Sequence, residues 1–188
     1  ELVSTLADLF AEANADPATR AIIFTGAGRA FCAGDDLKER RNPATGEEAQ
    51  QSIEEIQRVT HEIFDGDKFV VGAINGWVAG WAFGFLLSST DIRIACEEHA
   101  RFKYGLLSLG GIGGTPIPTL LPRQIAYADA MKILLTDEPF DAREALRISL
   151  INEVVPHPEL MERAEEIATH IATNVPPVAV RMVKEFAR

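Results

Sequence analysis

Apolar and polar positions along the chain follow two rhythms. Leu2, Leu6, Leu9 and Phe10 recur at helical spacing and predict a helix that ends near Asp16-Pro17. The short apolar run at 22–24 reads as a buried strand. A loop at 42–46 precedes a second helix over 47–64, whose apolar positions are Ile53, Ile56, Val59 and Ile63. Residues 69–74 are strand-like, and Asn75-Gly76 is a tight-turn pair. The small and apolar residues of 77–89 predict a buried helix entered through Gly80, and 92–95 is a further strand. Glycines and prolines crowd 105–122, which predicts irregular chain. Helices are expected at about 123–135 and 142–149, a strand at about 151–155, and a long helix at about 158–173. Pro176-Pro177 end that helix, and Pro177 suits the first turn of the last one.

Strands alternating with helices give the class α/β. No linker, low-complexity tract or repeat interrupts the pattern. The chain of 188 residues is 47% apolar and 24% charged, enough for one core domain with a helical C-terminal portion. A net charge of −10 argues against nucleic acid and anionic membrane surfaces as partners, since both need a basic face. The richest apolar stretch, 77–87, is too short for a membrane span and holds two glycines. Cys32 and Cys96 lack metal-type spacing and predict buried thiols in a reducing, cytoplasmic setting. His61, His99, His157 and His170 are scattered, so no metal motif is expected.

Candidate chemistry lies in two glycine segments. The first, AIIFTGAGRAFCAGDDL (21–37), is not a dinucleotide loop. That motif needs a third glycine where this chain has Phe31, and no Walker lysine follows. Gly34 instead allows a sharp turn, and Asp35 or Asp36 can cap a helix beginning at 35–40. A helix start leaves N–H groups unpaired and carries partial positive charge. On these residues alone, an ordinary capped helix is the simpler reading. The second segment, AINGWVAGWAFG (73–84), again runs strand, turn, glycine, apolar helix. Small-residue core packing would explain it by itself. Together, two such starts can aim two N–H groups at one carbonyl oxygen, each worth about 3–4 kcal/mol in a transition state.

At these stretches the sequence resembles the crotonase, or enoyl-CoA hydratase/isomerase, family, and the resemblance runs nearly end to end. RAIIFTGAGRAFCAGDDLKE (20–39) is similar to the family's strand and first oxyanion segment. VVGAINGWVAGWAFGFLLSSTDIRIA (70–95) is similar to its second, and ARF (100–102), LGGIGGT (109–115) and AMKILLTDEPFDAREALRISLINEVVP (130–156) follow in order. The family's first strands, which precede its first helix, have no counterpart in these residues. The resemblance implies a β-β-α spiral core over 1–137 carrying an acyl-CoA site, and a helical trimerisation portion over 138–188. It implies an acyl-CoA substrate, coenzyme A only as part of that thioester, no bound cofactor, and a homotrimer or dimer of trimers. By position, the amide of Asp35 is the first oxyanion donor and that of Trp81 the second. One extra residue between Asn75 and Asp91 leaves Gly80 and Ala82 open as alternatives. Ala33, Gly34, Leu37 and Lys38 fall at the coenzyme A site, with Arg29, Arg40 and Arg41 nearby as phosphate partners or as part of a mixed solvated surface.

The pattern breaks at the acid/base residues. Hydratases of the family use two glutamates to deliver water. This chain has Gly84 or Phe85 at the first position and Leu106 at the second. Isomerisation, C–C cleavage or thioester hydrolysis therefore stay open, with syn-hydration less favoured. His61 is a candidate base, although a surface helix position is its simpler role, and thioester-cleaving relatives carry their histidine where this chain has Gln57. Asp137 and Glu138 replace the glycine and its neighbour in the usual LLTG-x-P turn and are expected to face solvent. Ser88, Ser89 and Thr90 are expected to pack or bond back to helix carbonyls. A catalytically silent acyl-CoA-binding relative that serves as an assembly partner is the alternative. A serine hydrolase on the same spiral is weaker still, because no G-x-S-x-G elbow occurs.

Overall fold

The structure, a computed structural model, describes residues 2–34, 47, 50, 51, 54, 57, 58, 60, 64–110 and 116–187. Asp35, Leu37, Lys38 and His61 lie outside the described residues.

Helix α1 (Leu2–Ala15) follows the predicted spacing. Its inward face is Ala7 and Phe10, with Leu6 beside them, while Leu2 and Leu9 are exposed. Asp16 closes it by accepting the Ala18 amide at 2.9 Å and the Thr19 hydroxyl at 2.8 Å. The chain then runs as bent strand pairs. They are β1 (Ala21–Thr25) with β2 (Ala30–Cys32), β3 (Phe69–Ile74) with β4 (Trp77–Ala79), and β5 (Ile92–Cys96) with β6 (Arg101–Lys103). The first member of each pair joins one sheet and the second joins another. The larger sheet has the order β1-β3-β5-β8, where β8 is Glu153–Val155, and all its pairings are parallel. The smaller has the order β2-β4-β6-β7, where β7 is Phe140–Asp141 and pairs antiparallel. Identical strand order in both sheets is what a β-β-α spiral produces. Asn75 ties two of its corners together: its Oδ1 accepts the Gly26 amide at 3.1 Å, and its Nδ2 donates to the Gly28 carbonyl at 3.0 Å.

Helix α2 (Trp81–Ser89) follows β4, and all nine of its residues are buried. Such a helix, apolar all round, belongs inside a core. Its Leu86 and Thr90, the cap residue, lie against Gly72 of β3. Next come a 3-10 turn (Leu107–Leu109), α3 (Ile117–Gln124), α4 (Tyr127–Thr136), α5 (Ala142–Arg147), a second 3-10 turn (His157–Glu159), α6 (Leu160–Asn174) and α7 (Pro177–Ala187). Helix α6 packs against β1, β3 and β5. Residues 138–187 thus contribute β7 and β8 to both sheets as well as three helices.

Two expectations need correction. Residues 77–79 are strand, so the helix begins only at Trp81. The strands β2, β4 and β6 are three residues each, too short for a period-two pattern to register. Part of 105–122 is helical despite Pro118 and Pro122. Pro118 sits in the first turn, where no amide donor is needed, and Ile117, Leu120 and Leu121 bury the inner face.

Candidate functional site

Two glycine bends stand side by side. Strands β2 and β4 pair in parallel, with Ala30 opposite Trp77 and Cys32 opposite Val78, so the turns that end them are neighbours. Gly34 follows β2 with φ +83°, and Gly80 follows β4 with φ +61°. These are left-handed values that side chains resist. A Cβ on Gly34 would lie 2.9 Å from the Ala79 carbonyl oxygen and 3.7 Å from Gly80 Cα. A Cβ on Gly80 would lie 3.9 Å from Gly34 Cα and 4.0 Å from Leu106 Cδ2. Main chain, not side chains, therefore lines this contact.

Gly80 uses its own amide inside the sheet, donating to the Lys103 carbonyl at 3.3 Å, while its carbonyl accepts the Phe83 amide at 3.1 Å. Of the three candidate amides, that of Gly80 is thus engaged within the sheet. Trp81 is the first residue of α2. Its ring meets Phe85 edge-on at 5.1 Å and packs with Ala7, Phe10 and Val70, which anchors the start of the helix. The far end of α2 is held by Arg93. This buried guanidinium donates to the Leu87 carbonyl (3.3 Å), the Thr90 carbonyl (3.4 Å), the Thr90 hydroxyl (2.8 Å), the Leu150 carbonyl (2.9 Å) and Gln124 Oε1 (2.8 Å). Burial pushes its pKa down to about 10, and the charge of Asp91 opposes that shift. A cation at a helix C-terminus is favourably placed.

Below the bends lies the loop after β6. Leu106 is half-buried there and packs on the core. Gly84 and Phe85 are buried within α2. Asp137 corrects an expectation: it is 8% exposed rather than solvent-facing. It caps α4 in the left-handed region, at φ 54°, and its carboxylate accepts the amides of Gly105 and Ser108, the latter at 3.2 Å. Burial raises its pKa, but the Ser108 hydroxyl, the Gly105 and Ser108 amides and the Lys103 charge more than offset that, and the net shift is downward. Sequence reasoning missed this contact. The available signal was an aspartate at a glycine position, a residue type that tolerates the left-handed region.

A cavity of about 760 Å³ runs along the smaller sheet and reaches Ala33, next to Gly34. Arg29, Trp77, Glu98, His99, Arg101 and His157 also border it. His99 and His157 meet edge to face at 5.2 Å, and Glu98 accepts the His157 amide at 2.9 Å.

The structure thus brings Ala33, Gly34, Gly80 and Trp81 into one region. Gln57 is helical and exposed. Ser88 and Thr90 bond back to the carbonyls of Gly84 (2.9 Å) and Leu86 (2.6 Å), as expected. Cys96 is buried, as expected, and its thiol donates to the Asn75 carbonyl at 3.3 Å, whereas Cys32 is only half-buried; the two do not form a disulfide. Among the described residues no group of three or more His, Cys, Asp or Glu side chains is arranged to hold a metal ion, and no helix is long and apolar enough to cross a membrane.

Fold and bends together define a two-sheet spiral protein whose candidate site is built from backbone at a glycine contact. Comparison with known proteins gives that class a family. The enoyl-CoA hydratase/isomerase family model matches residues 1–188. Carnitinyl-CoA dehydratase of Proteus mirabilis is 37% identical over 186 residues, covering 97% of this chain and 69% of the relative. (E)-benzylidenesuccinyl-CoA hydratase of Thauera aromatica is 35% identical over 191 residues, covering 100% and 72%. The crystal structure of enoyl-CoA hydratase from Bacillus anthracis superposes with a TM-score of 0.88 at 34% identity, covering 98% of this chain and 70% of that one. The chain belongs to the enoyl-CoA hydratase/isomerase family and has the crotonase fold.

Proposed function

We propose that this protein is an acyl-CoA-processing enzyme that polarises a thioester carbonyl between two main-chain amides and stabilises the enolate that follows. The amide after the Gly34 bend, that of Asp35, is one donor and that of Trp81 is the other. The contact between Gly34 and Gly80 carries this reading, because it brings the two segments within one carbonyl's reach. The Trp81 amide stands at the start of a buried helix, so it does not reorganise when charge develops on the oxygen, which is the condition for large transition-state stabilisation. The names of the relatives, all of them CoA-thioester enzymes, support the substrate class. Coenzyme A lies against Ala33, Gly34, Leu37 and Lys38, and Arg29 and Arg101 at the cavity that reaches Ala33 supply cations toward its phosphate esters.

Leu106, with Gly84 or Phe85, occupies the positions of the family's acid/base glutamates, and none of these side chains can move a proton. Standard hydration is therefore disfavoured relative to isomerisation, thioester hydrolysis or C–C cleavage. The same residues support a second reading, an acyl-CoA binder without turnover. Residues 138–187 join copies into a trimer or a dimer of trimers, which the exposed Val178, Met182, Val183 and Phe186 of α7 support.

The test is a panel of enoyl-, 3-hydroxyacyl- and β-ketoacyl-CoA esters, with product analysis and calorimetry in parallel. Turnover of at least one ester, lost in Gly34→Pro, supports the enzyme. Binding without turnover supports the silent binder. Full hydratase turnover of crotonyl-CoA contradicts the assignment of the missing glutamates, and failure to bind any CoA ester contradicts both readings.

A further inference from the structure

The most unusual titratable group near the bends is Asp137, a buried carboxylate outside the two-amide scheme. Three observations bear on it. First, it stands in the left-handed region at φ 54°, which aspartate tolerates and where a glycine would be unstrained. Second, the carboxylate accepts from the neighbouring loop, through the amides of Gly105 and Ser108 and the Ser108 hydroxyl. Third, those donors flank Leu106, and the same strand end lies against the second bend. The Lys103 carbonyl accepts the Gly80 amide at 3.3 Å, a Cβ on Gly105 would lie 3.7 Å from Gly80 N, and Leu106 Cδ2 is 4.0 Å from the Cβ position of Gly80.

We infer that Asp137 is a positioning residue: it fixes the main chain of 103–108 and, through the Lys103–Gly80 bond, the direction in which the bend before Trp81 presents its amide. The inference rests on the two-amide reading above. Asp137 reaches the thioester through the main chain and takes no proton from it. Two charge-assisted bonds from one carboxylate hold both ends of a four-residue loop, so the loop cannot rotate about either bond alone.

The experiment uses the intact protein and a conjugated aryl ester, cinnamoyl-CoA, whose absorption band moves to longer wavelength when its carbonyl is polarised. Asp137→Gly removes the carboxylate without backbone strain, and Asp137→Asn keeps one acceptor. The wild type is expected to bind the ester with a red shift. Asp137→Gly should retain less than half of that shift, with the ester's Kd within about threefold of wild type, and Asp137→Asn should fall between. Amide exchange in the free protein should speed up at least tenfold at Gly105 and Ser108 in Asp137→Gly, while the β3 amides stay protected. A purely structural role predicts a lower melting temperature with an undiminished shift in the protein that remains folded. A full red shift or unchanged exchange in Asp137→Gly overturns the inference and leaves the two-amide reading standing. Binding to wild type without any shift overturns that reading, and the inference with it. Should Asp137→Gly fail to fold, Asp137→Asn decides: a full shift in that variant overturns the inference, and a reduced one upholds it.

Discussion

Gly34 faces Gly80 so closely that a single added methyl would touch the backbone on the other side, 2.9 Å from the Ala79 carbonyl oxygen. Both residues hold positive φ values, and each lies just past the end of a strand of the smaller sheet. The parallel pairing of β2 with β4 makes them neighbours although 46 positions separate them in sequence.

Gly34→Ala should therefore lower both stability and activity. The left-handed region costs an L-residue about 1–2 kcal/mol, and the contact with Ala79 adds to it. For a chain of this size each kcal/mol moves the melting temperature by about 2–4 °C. A fall of at least about 3 °C in a thermal melt is expected, with a tenfold or greater loss in turnover of the best ester. An unchanged melt would show that the bend relaxes freely.

Much of the fold was legible in advance. The spacing of Leu2 to Phe10, the strand at 69–74 and the Pro176-Pro177 break are local signals that tertiary packing did not override. Other parts were not. Residues 105–122 read as irregular because they are rich in glycine and proline, yet Ile117–Gln124 is a helix held by three buried apolar side chains. Asp137 reads as exposed because its partners, the amides of Gly105 and Ser108, are main-chain groups about thirty positions away that no residue type announces. Of the site, Gly34 and Gly80 were visible as residue types. Their contact depends on strand pairing that three-residue strands do not advertise.

Leu106→Glu should give the site a proton carrier. The tip of the Leu106 side chain lies near Gly80, so on the two-amide reading a carboxylate of about that reach would stand close to the α-carbon of the bound thioester. Exchange of the α-protons of butyryl-CoA in deuterated water, followed by mass spectrometry, should exceed the wild-type rate at least tenfold. Exchange no faster than wild type would mean that Leu106 does not border the reacting carbons.

Arg93→Met should destabilise the chain without touching the site directly. The substitution strands the Leu150 carbonyl in a buried setting and removes the donors to the Thr90 hydroxyl and the half-buried Gln124 side-chain oxygen, while the Leu87 carbonyl keeps the Gln124 side-chain amide at 3.0 Å. At about 1–3 kcal/mol for each unpaired buried group, partly offset by losing a buried charge, a net loss of about 3 kcal/mol is expected. Denaturant unfolding measures it. A loss under about 1 kcal/mol would show that water replaces the guanidinium.

Asp137 sets an acid limb on stability. Its pKa lies below the ordinary 3.8 in the folded chain, so its stabilising contribution is complete above that value and is lost as pH falls through the folded pKa. The groups facing it are Lys103, Ser108 and Tyr104, whose pKa is pushed up by burial and then by the charge of Asp137 itself. Asp137→Asn should be less stable than wild type at neutral pH, and the gap should close below pH 3.8, as thermal melts across that range can record. A gap that persists unchanged in acid would assign the loss to packing rather than charge.

The most direct measurement is the infrared carbonyl stretch of crotonyl-CoA, labelled with ¹³C at the thioester carbon and bound to wild type and to Gly34→Ala. Two converging amides predict a stretch displaced to lower frequency than in free ester, with much of the displacement lost in Gly34→Ala. A bound ester whose carbonyl stretches at the solution frequency would contradict polarisation by the paired bends.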